Sequence, residues 1–181
     1  MFYNFLEKFI KWVVQFFRVS SPKETEMKYT PIEELDIELL KKQLEKPMDT
    51  KFLEVCMDAL DTDPSTPDGV KDEVGCAETL STLIKKIYPD FPVIFSTKNL
   101  DWKLYSDKRF KRITEPELGC IIISPRNNIQ FGHCGVFITS QRIASNNSQT
   151  GLFQGNYFWD SWIREFKDKR GLKIYIYKLV D

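Results

Sequence analysis

Cys76, in Val74-Gly75-Cys76-Ala77-Glu78-Thr79-Leu80, and the one histidine, His133, in Phe131-Gly132-His133-Cys134-Gly135-Val136-Phe137-Ile138, are the residues whose types could do chemistry together. A thiol at the start of a helix and an imidazole on a strand supply the two parts of a thiolate nucleophile, because a helix N-terminus and a neighbouring base both favour the sulfur anion. The chemistry this points to is nucleophilic hydrolysis by cysteine. The competing structural reading makes Cys76 a small buried hydrophobe and His133 a hydrogen-bonded surface residue.

Other uses of these groups fit less well. The four cysteines, Cys56, Cys76, Cys120 and Cys134, form no C-x-x-C pair and no compact framework, so neither a zinc ribbon nor a disulfide scaffold is expected. His133 and Cys134 are adjacent on a strand and point to opposite faces, which separates them as ligands of one metal. The acidic loop Asp61-Thr62-Asp63-Pro64-Ser65-Thr66-Pro67-Asp68-Gly69 lacks the spacing of an EF-hand, and nothing calls for a cofactor. Twenty-six basic and 26 acidic residues balance, so no global field draws the chain to nucleic acid.

The elements that must position the pair follow from periodicity. Residues 1–18 read as an amphipathic helix, its polar residues Asn4, Glu7, Lys8, Lys11, Gln15 and Arg18 falling within roughly 100° of arc. It is too short and too charged to span a bilayer, and its wide apolar face suits either a membrane surface or a protein partner. Residues 19–30 read as a linker, and 31–181 as one domain. Helices are expected from Thr30, over Lys51 to Leu60, from Cys76 with Leu80, Leu83 and Ile87 inward, and around Leu100, Trp102 and Leu104. Strands are expected over Phe110 to Ile113, Cys120 to Ser124, Gly132 to Thr139, Gln141 to Asn146 and Leu172 to Leu179. A helix over Asn156 to Phe166, closed by Gly171, precedes the last strand. Helices first and an antiparallel sheet second make an α+β fold.

With Thr139-Ser140 as the tip of a two-residue hairpin, Val136 pairs with Ile143, Gly135 with Ala144 and His133 with Asn146. Val136, Ile138 and Ile143 then form core on one face. His133, Gly135, Ala144 and Asn146 share the other, where small residues admit the Cys76 helix and Asn146 orients the imidazole. Thr-Ser is not a favoured two-residue turn, and a slipped register nominates Asn147 or Ser148 instead.

At these residues the chain resembles the NlpC/P60 superfamily of papain-like cysteine peptidases, and within it the CHAP-like amidases and endopeptidases of bacteria and phages. The resemblance covers roughly residues 70 to 180 and rests on Gly75-Cys76-Ala77, Gly119-Cys120-Ile121-Ile122-Ile123, Gly132-His133-Cys134-Gly135-Val136 and Ser145-Asn146-Asn147. It implies a papain-like α+β fold acting on an amide bond, most often in peptidoglycan, at the bacterial envelope or in a phage. The implied roles are nucleophile for Cys76, proton transfer for His133, orientation for Asn146, and an oxyanion-stabilising backbone N–H at Cys76. Many members carry Asp before the nucleophile and Gly-Asp on the entry strand, where this chain has Gly75 and Gly119-Cys120. Two further readings keep different parts of this picture. One is the same fold acting on a cytoplasmic peptide, amide or thioester; the other is a catalytically inert module joined to partners through residues 1–18.

Overall fold

The computed structural model describes residues 50–64 and 75–180. The expected amphipathic helix, the linker, the helix from Thr30 and most of the acidic loop lie outside the described residues. The described part is α+β: helices α1 (Thr50–Asp58), α2 (Cys76–Ile87) and α3 (Thr97–Ser106) precede a six-stranded antiparallel sheet. Its strands are β1 (Phe110–Ile113), β2 (Ile121–Ser124), β3 (His133–Phe137), β4 (Arg142–Asn146), β5 (Phe153–Phe158) and β6 (Tyr175–Leu179). Their spatial order is β1-β6-β2-β3-β4-β5, so the last strand enters between β1 and β2.

Both faces of the sheet are covered, which is why the central β2 reads Ile121-Ile122-Ile123 without alternation. On one face α2 packs against β3 and β4, and α3 against β1 and β2. In α2 the residues Ala77, Leu80, Leu83 and Ile84 are buried on a single helical stripe, each Leu or Ile contributing about 1.5–3 kcal/mol. On the opposite face Cys120, Ile122, Phe137, Ile143 and Ile176 meet Trp162, Phe166 and Leu172. Those residues come from α4 (Trp159–Trp162), the π-helical segment Ile163–Lys169 that continues it, and the chain beyond. Gly171, at φ 64°, ends this segment where a side chain would be strained. The Trp162 indole N–H donates to the buried Ser124 hydroxyl at 3.0 Å, tying the segment to β2.

Two expectations are corrected. The β3–β4 register is displaced by one residue: Gly135 opposes Ser145, Val136 opposes Ala144 and Phe137 opposes Ile143. The cause lies in the turn. Thr139 Oγ1 accepts the N–H of Gln141 at 3.2 Å and of Arg142 at 2.8 Å, and the Ile138 N–H donates to the Arg142 carbonyl. The loop therefore spans Thr139 to Gln141, since Thr-Ser cannot supply the positive φ of a two-residue turn. Val136 and Ala144 consequently face α2, whereas Gly135, Ser145, Phe137 and Ile143 face the aromatic segment.

The second correction is that Asn156, Tyr157 and Phe158, expected to begin a helix, belong to β5. That strand pairs with β4 through a bulge between Ile143 and Ser145. Beyond it, the Asp61 N–H donates to the Phe153 carbonyl and the Phe153 N–H to the Thr62 carbonyl, so the segment after α1 is fastened to β5.

Replacing Trp162 by Phe strands the Ser124 hydroxyl in the core and leaves a small void. The expected loss is about 2–4 kcal/mol, seen as a lower urea midpoint with an unchanged slope.

Candidate active site

The cleft that holds both Cys76 and His133 lies at one end of the sheet and encloses about 450 Å³. Cys76 opens α2 after Gly75, whose lack of a side chain leaves the first-turn N–H groups without a side-chain cap. His133 is the first residue of β3. It is preceded by Gly132, where an added Cβ would sit 2.2 Å from the Ser124 carbonyl oxygen and 2.4 Å from the Arg126 nitrogen. Only glycine lets the chain enter β3 this close to β2.

The His133 ring is fixed on every side. It stacks on Trp162 and Phe166 at 5.4 and 5.5 Å, each inclined by 22°, and meets Tyr157 edge-on at 5.6 Å. Its Nε2 lies 2.9 Å from Ser145 Oγ, and the Ser145 hydroxyl donates to Asn156 Oδ1 at 2.7 Å. Because the serine proton is directed at Asn156, the serine oxygen accepts from Nε2–H. With Nε2–H committed to Ser145, Nδ1 is the ring nitrogen left for the thiol.

Ser145 and Asn156 were not singled out from sequence. The one-residue register displacement brings Ser145 onto the His133 face and turns Asn146 to the face of Cys134. The β5 bulge brings Asn156 onto the same face as Tyr157, within reach of Ser145. Asn146 is buried and lines the cleft, and the partner of His133 Nε2 is Ser145. Asn147, nominated for a slipped register, instead donates to Gln154 Oε1 and accepts the Gln149 N–H, building the β4–β5 connection. Ser148 is exposed at the rim.

The Cys76 sulfur is held well below the usual thiol range. The largest cause is a hydrogen bond from the Cys134 side chain; burial works against it, and the charge and hydrogen bond of His133 add to it. Cys134 is buried on the α2 side of β3, with its Sγ also 3.1 Å from the Cys76 carbonyl oxygen. Burial, followed by its hydrogen bond to Cys76 and the charge there, pushes the Cys134 thiol up. Burial also raises Cys56, and Cys120 to about 11, so Cys76 is set apart from the other three thiols.

Phe95 and Phe131, 73 % and 68 % exposed, stand on the rim. Arg170 ties one wall together, its Nε and Nη2 donating to Glu165 Oε1 and its Nη1 to the Phe131 carbonyl. The exposed Arg126 guanidinium lies 5.9 Å from the Phe131 ring centroid. Among the described lining residues two are arginines and none is a carboxylate. Trp162 is core, and Trp102 is exposed on α3 away from the cleft lining.

No family model matches the chain, and no curated protein matches it. Among solved structures it is similar to a chain of the crystal structure of the type VI native effector–immunity complex Tae3–Tai3 from Ralstonia pickettii. The TM-score is 0.46 at 17 % identity, covering 71 % of this chain and 96 % of that one.

Alkylation follows the thiolate, so iodoacetamide should label Cys76 selectively and continue to do so at pH 6, where an ordinary thiol has slowed by more than about 100-fold. Cys134→Ala removes the largest lowering influence and should move the midpoint of the labelling profile to higher pH. Peptide mapping across pH 5 to 9 checks both; an unmoved midpoint would remove Cys134 from this role.

Proposed function

We propose that this protein is a cysteine hydrolase of amide bonds, with peptidoglycan peptides as its substrate. The observation that carries the reading is the directed chain from Asn156 through Ser145 to His133 Nε2, which leaves Nδ1 to serve the Cys76 sulfur.

The reaction follows from those assignments. Nδ1 takes the Cys76 proton, and the thiolate attacks the amide carbonyl carbon, forming a C–S bond while the carbonyl electrons move onto oxygen. The backbone N–H of Cys76, in the uncapped first turn of α2, donates to that oxyanion. Collapse of the intermediate breaks the C–N bond as Nδ1–H protonates the departing amine, leaving a thioester. Water, losing its proton to Nδ1, then attacks the thioester, and the acid product leaves with the thiol restored. Ser145 and Asn156 take the orienting role expected of Asn146: they hold Nε2–H through both proton transfers.

The target class is supported by the resemblance of the Cys76 and His133 segments to peptidoglycan hydrolases, and the cleft adds a chemical argument. The exposed Arg126, with no acid among the described lining residues and Arg170 already paired with Glu165, favours a substrate with a free carboxylate, which cell-wall stem peptides carry. The exposed rings of Phe95 and Phe131 at the rim suit a peptide laid between them.

Purified cell walls in a zymogram provide the first test. Wild type should clear them and Cys76→Ala should not; equal clearing by both, or by neither, rejects the proposal. On a soluble stem-peptide substrate, Ser145→Ala should lower kcat by about 10- to 100-fold with little change in KM. Arg126→Ala should do the reverse, raising KM several-fold, because its guanidinium meets the substrate rather than the reacting atoms.

A further inference from the structure

Cys134 is a buried thiol that the hydrolytic cycle does not consume. We propose that Cys134 is a resolving thiol: a peroxide oxidises Cys76 to a sulfenic acid, which Cys134 captures as a reversible Cys76–Cys134 disulfide.

The placement of the sulfurs carries this. The Cys134 thiol donates to the Cys76 carbonyl oxygen at 3.1 Å, which sets its sulfur beside Cys76, and its side chain is the largest influence lowering the Cys76 thiol. Cys134 is central in the sheet, on β3 between β2 and β4, and turns to the α2 side. Cys120 packs with Trp162 and Phe166 on the other face, and Cys56 is in the core of α1. Among the described residues, Cys134 is therefore the thiol placed to meet Cys76.

Exposure and protonation divide the two roles. Cys76 lines the cleft as the more ionised sulfur, so a small peroxide reaches and oxidises it first. Cys134, 1 % exposed and protonated, is spared direct attack. In the first step the Cys76 thiolate forms an S–O bond, the peroxide O–O bond breaks, and the leaving oxygen takes a proton. Cys76 loses two electrons and the peroxide gains them. In the second step Cys134 gives up its proton and its sulfur attacks Cys76, forming S–S, breaking S–O and releasing water. Oxidation also removes the Cys76 negative charge, one of the influences that keeps Cys134 protonated, so the resolving thiol becomes easier to ionise only when needed.

As regulation of the hydrolase this rests on the reading above, whereas the bond itself is detected without any substrate. The full-length reduced chain is titrated with hydrogen peroxide, the remaining thiols are alkylated, and intact mass and peptide maps are recorded. Wild type should lose about 2 Da and yield a Cys76–Cys134 cross-link, and dithiothreitol should restore Cys76 labelling. Cys134→Ser, which keeps a hydrogen-bond donor, should instead gain about 32 Da on Cys76 and lose at least tenfold more labelling irreversibly. Sulfinic acid on wild-type Cys76 at the rate seen in Cys134→Ser, or a cross-link to Cys56 or Cys120, overturns the proposal. The wild-type result decides the matter even where the variant does not fold. A chain that forms the cross-link but clears no cell wall keeps the resolving thiol and loses the hydrolase; clearing without a cross-link does the opposite.

Discussion

The hydrogen bond between His133 Nε2 and Ser145 Oγ is the constraint from which the rest of the cleft follows. Alone it would leave the imidazole's tautomer open, since a serine hydroxyl can donate or accept. The second link, Ser145 to Asn156 Oδ1, removes that freedom by committing the hydroxyl proton elsewhere. One direction of donation then runs from the ring to the edge strand β5, and Nδ1 is the ring nitrogen left to serve the cleft. The aromatic faces of Trp162 and Phe166 restrict the ring's plane, and the Trp162 bond to Ser124 restricts the tryptophan in turn.

A sheet covered on both sides solves a geometric difficulty in this arrangement. His133 belongs to the face packed by the aromatic segment, while the helix bearing Cys76 lies on the other, so the two side chains cannot meet through the middle of the sheet. They meet at its end, where β3 begins and α2 starts. Cys134 is the consequence: the residue after His133 necessarily points to the α2 side. There its thiol and backbone both engage Cys76. The π-helical segment adds the last wall, and Arg170 at its end donates to the Phe131 carbonyl.

Much of this was legible in the chain itself, for identifiable reasons. The α2 stripe and the apolar run of β2 are long periodic signals, and Cys76 and His133 stand out because few residue types can form a nucleophile and base. The failures came from single-residue effects. Thr139 lengthens the turn by using its own hydroxyl, and that one residue shifts the β3–β4 register and sets Ser145 against His133 Nε2. The β5 bulge was equally hidden. Tyr157, Trp159, Trp162 and Phe166 carry aromatic spacing that suits a helix, so the strand formed by Phe153 to Phe158 was absorbed into it, and Asn156 with it. Side-chain hydrogen bonds that redirect a backbone have no periodicity to reveal them.

The polar relay also argues against a purely structural interpretation of the site. Ser145 is fully buried, and a buried hydroxyl costs about 1–3 kcal/mol unless it is paired. Pairing it with Asn156 and His133 removes that penalty but gains little beyond it, and a well-packed apolar trio would hold β3, β4 and β5 together at least as firmly. A relay of this kind fixes strand register, and it also sets the position of a proton at its far end. Here that end is a ring nitrogen directed at a sulfur already inclined to ionise, at the mouth of a cleft with no competing acid among its described lining residues. The stability the fold forgoes by burying polar groups at Ser145 is thus matched to the one place where fixing a proton's position changes reactivity.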